Sequence, residues 1–97
     1  MKEQLEKLGA KVRVNEQGEI VEVNLSNTQI TNRGLMHLAG LTSLRVLGLG
    51  ATQITGTGLV HLAGLTSLEE LWLSDTQITD AGVAKLKEAL PNCDTNN

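Results

Sequence analysis

A period of twenty-four residues runs through most of this chain and constrains its fold more than any other feature. Residues 21–44 align with 45–68 without a gap and are identical at fifteen of twenty-four positions. Thr28-Gln29-Ile30-Thr31 returns as Thr52-Gln53-Ile54-Thr55, and the eight residues His37 to Leu44 return unchanged as His61 to Leu68. A third copy begins at Glu69 and keeps Leu71, Leu73, Thr76-Gln77-Ile78-Thr79, Gly82 and Leu86. It then diverges into Lys87-Glu88-Ala89-Leu90-Pro91-Asn92-Cys93, one residue longer than the copies before it. A unit this short cannot enclose a core by itself, but stacked copies cover one another's apolar edges.

Two hydrophobic patterns alternate inside each copy. Leu44-x-x-Leu47-x-Leu49 ends in the alternation of a strand buried on one side, and Ile54 follows as a single inward anchor. Leu59, Leu62 and Leu65 then recur every third residue, which places one buried stripe on a short helix. The pattern predicts parallel strands near 21–25, 45–49 and 69–73, with helices near 33–39, 57–63 and 81–90 as an outer layer. Asn32, Gly56 and Asp80 stand where helix N-caps are expected. Thr28, Thr52 and Thr76 fall between inward apolar positions. They read as a buried hydroxyl ladder, because a buried polar group without a partner is costly. The expected fold is α/β: a short right-handed solenoid of three repeats spanning 21–93 (21–44, 45–68 and 69–93).

Such a stack exposes its core at both ends unless something covers it. Residues 1–20 are expected to form an N-terminal cap. Leu5 and Leu8 suit an amphipathic helix, and Val12-Arg13-Val14, Asn15-Glu16-Gln17-Gly18 and Ile20-Val21-Glu22-Val23 read as strand, turn and antiparallel strand. At the other end the altered third helix stops before Pro91, Cys93 takes a slot held by leucine in the earlier copies, and residues 94–97 are expected to be a loose tail. That leaves the strand at 69–73 as an open edge. Homodimerisation there, or a repeat scaffold without a ligand, is the alternative to a binding role.

Composition narrows the function. The chain has 97 residues, room for one small domain, with a net charge of −3 and no Lys/Arg cluster to neutralise phosphates, so no nucleic-acid partner is expected. No apolar run approaches the roughly 18 residues of a membrane span, and the charged N-terminal segment lacks the apolar stretch of a signal peptide. The expected compartment is the cytoplasm. One cysteine supports neither an internal disulfide nor a multi-cysteine zinc site.

The run Leu-x-x-Leu-x-Leu-x-x-Thr-x-Ile-Thr-x-x-Gly-Leu-x-x-Leu, from Leu44 to Leu62, resembles bacterial leucine-rich repeats of the ribonuclease-inhibitor-like and cysteine-containing classes. Leu5-Glu6-Lys7-Leu8-Gly9-Ala10-Lys11-Val12 looks like segments that precede such arrays in planctomycete-type proteins. The resemblance implies an arc with its strands on the concave face and its helices on the convex face. It also implies protein or peptide recognition through the concave face and no catalytic residues.

Strand residues between the inward leucines should point to that face: Glu22, Val46 and Glu70 in one row, Asn24, Gly48 and Trp72 in the next, Ser26, Gly50 and Ser74 in a third. These positions vary between copies whose scaffold is nearly constant. Trp72 is the only aromatic residue of the chain, and Gly48 on the neighbouring strand leaves room for an indole lying flat. Two readings stay open: an anchor for a partner, or a lid over Gly48 and Val46 that only shields the strand face. Glu22 and Glu70, two strands or about 10 Å apart, lack the enclosure a carboxylate pair needs for catalysis. His37 and His61 align on the helical side, away from Ser26, Ser74 and Asp75. A His-activated serine is therefore not available, and no metal or cofactor is expected.

Overall fold

In the computed structural model, which describes residues 2–96, a single five-stranded sheet carries the repeat. Its strands follow chain order: β1 (Lys11–Val14), β2 (Ile20–Asn24), β3 (Val46–Gly48), β4 (Glu70–Trp72) and β5 (Asp94–Asn96). β1 pairs antiparallel to β2, and the remaining neighbours are parallel. Each parallel crossover carries a helical segment: 3-10 helices at Gly34–Leu38 and Gly56–Leu62, and the α-helix α2 at Asp80–Ala89. The 3-10 helices pack against each other, and α2 packs against the second of them. The result is an α/β repeat fold, with the core between sheet and helical layer.

The register is that of the twenty-four-residue period. Glu22, Val46 and Glu70 are partners across β2, β3 and β4, and so are Val23, Leu47 and Leu71. Val23, Leu47 and Leu71 are inward and at most 1% exposed, and Leu25, Leu49 and Leu73 beyond them are at most 2% exposed. The ladder continues past the strands, with Asn27 N donating to the Gly50 carbonyl at 2.9 Å and Ala51 N to the Ser74 carbonyl at 2.8 Å. Asn27, Ala51 and Asp75, one per copy, all adopt left-handed backbone with φ near +60°. Each threonine of the ladder then donates to its own strand: Thr28 to the Leu25 carbonyl, Thr52 to that of Leu49 and Thr76 to that of Leu73, at 2.6–2.7 Å. Only Thr52 is fully buried, and its outer counterparts are half-buried.

The helical layer shows why the third copy differs. In the first two, the buried residues Leu35, Leu38 and Leu59, Leu62 lie three apart, the period of a 3-10 helix. In the third, Val83 and Leu86 lie on α2 and Leu90 is its C-cap, a spacing of three and then four that is close to the α-helical period. The capping residues are also not those expected. α2 is capped by Thr79, whose hydroxyl accepts from Gly82 N at 3.2 Å, and Asp80 is its first helical residue. Gly56 opens the second 3-10 helix rather than capping it. Asn32 instead bridges copies: its Nδ2 donates to Thr55 Oγ1 at 2.7 Å and its Oδ1 accepts from Thr55 N at 2.8 Å.

At the N-terminal end, α1 (Lys2–Lys7) places Leu5 in the core at 1% exposure, but Leu8 is 44% exposed. The helix ends at Lys7, and Leu8 belongs to the turn leading into Gly9, whose φ is +95°. The hairpin of β1 and β2 forms as expected, with Asn15 Oδ1 accepting from the backbone N–H of Gln17 and Glu19 inside the turn.

The C-terminal end corrects the sequence reading. Asp94–Asn96 is strand, not loose tail: it pairs parallel to β4, with Leu73 N donating to the Asn96 carbonyl at 2.7 Å. Asn97 and Met1 lie outside the described residues. The edge at 69–73, offered above as a dimerisation strand, is therefore covered by the chain's own β5. The physical reason is hydrogen bonding: residues 94–96 gain ladder partners there that a tail in water would take from solvent. Thr95, half-buried, stands in the row of Leu47 and Leu71 and closes the core with a polar residue.

Candidate functional site

Alternation in the short strands separates inward leucines from outward residues that contribute nothing to the core. The outward face has two well-defined rows. One runs Arg13, Glu22, Val46, Glu70 and Asp94 across all five strands; the other runs Lys11, Asn24, Gly48, Trp72 and Asn96. The structure thus brings together Glu22, Asn24, Val46, Gly48, Glu70 and Trp72 in the register expected from the repeat. Ser26 and Ser74 lie just past the strands. Ser26 is used structurally, its hydroxyl accepting from Gly50 N at 3.2 Å.

Trp72 is 46% exposed, the largest side chain among the outward residues. The space over Gly48 is not left for it. A Cβ built on Gly48 would meet Asn24 Oδ1 at 2.9 Å and Ser26 Oγ at 3.2 Å before any indole atom. Asn24 is held over that position by its own turn, with Oδ1 accepting from Ser26 N at 2.9 Å. The Asn24 carboxamide and the Ser26 hydroxyl stand nearest that position.

A shallow groove of about 450 Å³ runs over this face from β1 to β4, lined by Lys11, Arg13, Glu22, Asn24, Val46 and Trp72 among others. Lys11 and Arg13 were missed as face residues. The available signal was the alternation of Lys11-Val12-Arg13, whose Val12 is the inward member packed against the core. Across the hairpin Arg13 Nη1 lies 3.3 Å from Glu22 Oε1, so Glu22 is ion-paired within the chain. A second ion pair among the described residues lies off this face, before the strands. There Arg45 meets Glu69 through two contacts of 2.9 and 3.2 Å, which lower the Glu69 carboxyl below its ordinary range.

The remaining chemistry-bearing residues are dispersed. His37 is exposed and His61 half-buried, both at the ends of the 3-10 helices. Among the described residues no group of three or more His, Cys, Asp or Glu side chains is arranged to hold a metal ion. Cys93 is 2% exposed, and burial, then the neighbouring Asp94 charge, push its thiol up, away from the reactive thiolate. Among the described residues no helix is long and apolar enough to cross a membrane.

No curated protein matches the chain. Two stretches, residues 20–39 and 64–87, match the family described as Leucine Rich repeat, whose members generally mediate protein–protein interaction. They cover β2 with the first 3-10 helix, and β4 with most of α2. The matches fall on the strand–turn–helix units that the twenty-four-residue register defines. In these two stretches the chain is similar to leucine-rich repeats.

Proposed function

We propose that the chain is a non-catalytic protein- or peptide-binding module that recognises its partner through the outward strand face around Trp72. In this reading residues 1–20 cap a short right-handed solenoid of three repeats. The outward strand face is its concave surface, with Glu22, Asn24, Val46, Gly48, Glu70, Trp72 and Ser74 as contact positions. The observation that carries it is the half-exposed indole in a row where the chain places no other aromatic residue. Asn24 and Ser26 already stand over Gly48, so that glycine does not depend on the indole alone for cover. Large aromatic side chains at the rim of a groove are the residues on which interfaces concentrate their energy.

The test uses a displayed random-peptide library selected on the full chain. Selected peptides are expected to lose about thirtyfold in affinity, or about 2 kcal/mol, on Trp72→Ala. Thermal stability should stay nearly unchanged, because the indole is half in water already. Peptides that bind both proteins equally would sink the assignment.

A further inference from the structure

The outward face changes charge from one end to the other. At the β1 end stand Lys11 and Arg13, beside Asn24 and Glu22 in the antiparallel register. At the far end Glu70 and Asp94 are neighbours across β4 and β5. Val46, Gly48 and Trp72 make an uncharged centre. Arg13 and Glu22 compensate each other at 3.3 Å, so the difference is carried by Lys11 on one side and by Glu70 with Asp94 on the other. Among the described residues none of these three is in an ion pair. Like charges on adjacent strands are unfavourable, and a cation arriving over Glu70 and Asp94 relieves that repulsion.

We propose that this face binds a short extended peptide laid across the strands, with an acidic residue over Lys11, an apolar side chain in the groove beside Trp72, and a basic residue over Glu70 and Asp94. The proposal rests on the recognition-surface reading above and names the chemistry of the partner. Size selects a peptide over a second copy of the chain. At ~4.8 Å per strand the face spans ~19 Å from β1 to β5. With strands of about three residues its area is on the order of 200 Å². A standard protein–protein interface uses about 800 Å² per partner, so two such faces pressed together bury too little. An extended segment of about six residues, at ~3.3 Å each, covers the same distance. The groove of about 450 Å³ takes one of its apolar side chains.

Emission from the single tryptophan reads the site directly. The probes are three capped heptapeptides: Glu-Glu-Gly-Leu-Gly-Lys-Lys, its shuffled form Glu-Lys-Gly-Leu-Gly-Lys-Glu, and the doubly acidic Glu-Glu-Gly-Leu-Gly-Glu-Glu. The first is expected to bind the full chain at least about tenfold more tightly than the other two, a difference of about 1.4 kcal/mol. Glu70→Lys together with Asp94→Lys turns the far end from acidic to basic and should move the preference to the doubly acidic peptide. A variant that had merely lost its fold gains nothing. Equal binding of ordered and shuffled peptides, abolished by Trp72→Ala when binding is followed by titration calorimetry, overturns the charge order and leaves the recognition face standing. No change in emission with any of the three at millimolar concentration overturns the assigned partner. The library selection then decides the broader reading separately, since selected peptides indifferent to Trp72 overturn both.

Discussion

The middle repeat and the third repeat begin from nearly the same sequence and end in different helices. In the middle copy Leu59 and Leu62 sit three apart in a 3-10 helix enclosed between neighbours on both sides. In the third copy Val83 and Leu86 lie on an α-helix with Leu90 as its C-cap, and α2 is the last helix among the described residues, packed against a neighbouring helix on one side. The hydrogen bonds differ in the same sense. The turn before the middle helix is held by Asn32 reaching over from the preceding copy, whereas α2 is capped by its own Thr79. An interior repeat is stabilised by its neighbours, and a terminal repeat must supply more of its stability locally.

That contrast can be tested at matched positions. Leu62→Ala empties a site that is 0% exposed, and a loss of about 4 kcal/mol is expected. Leu86→Ala, at 4% exposure on the terminal helix, should cost nearer to about 2 kcal/mol, because one side can relax into the space. Urea unfolding of both variants measures the difference. Equal losses would mean that α2 is as tightly enclosed as the middle repeat.

The second comparison predicts opposite signs. A Cβ at Gly58 would overlap Asn32 Oδ1 and lie 2.9 Å from Leu35 Cδ1, so Gly58→Ala displaces the inter-repeat bridge. A cost of about 2 kcal/mol is expected from that overlap and the lost hydrogen bonds. At Gly82 the nearest atoms are at ordinary contact, 3.5 Å and beyond, and the residue lies in the first turn of α2. Gly82→Ala should stabilise by about 0.5 kcal/mol through helix propensity. Melting temperatures moving in the same direction would break the comparison.

The smallest effect concerns the left-handed residue after each strand. Asn27 and Asp75 tolerate that conformation, but the middle copy has Ala51 at φ +55°. Ala51→Gly should stabilise by about 0.5–1 kcal/mol, the relief of the Cβ clash less the added chain entropy. Asn27→Gly should gain less, since Asn already accepts the conformation. A destabilised Ala51→Gly protein in calorimetry would show that the strain is matched by packing.

Much of the fold was legible because the repeat reports its own register. Fixing which residues share a row required only the period, and Glu22, Val46 and Glu70 stand where counting puts them. The helix type was also written in the leucine spacing, three and three against three and four, although the spacing was read only as a short helix. The misplaced caps had a different cause. Asn32 has the composition of an N-cap, but a closer donor in the adjoining copy, the Thr55 N–H, outcompetes its own helix. Leu8 went astray because α1 ends a residue before it, a boundary that an amphipathic pattern resolves poorly. Lys11 and Arg13 join the candidate site through an antiparallel strand that belongs to no repeat, so the twenty-four-residue period did not report them and only the local alternation did.

Local order and burial were therefore determined by sequence alone: apolar residues at fixed intervals have one way to leave water when identical units stack. The tertiary structure decided what lies beside what across unrelated segments. It closed the edge of β4 with Asp94–Asn96, covered Gly48 with Asn24 and left the indole of Trp72 half in solvent. The difference is physical. Hydrophobic periodicity is carried within one unit, whereas hydrogen-bond competition and charge order arise only where distant parts of the chain come within a few ångströms of each other.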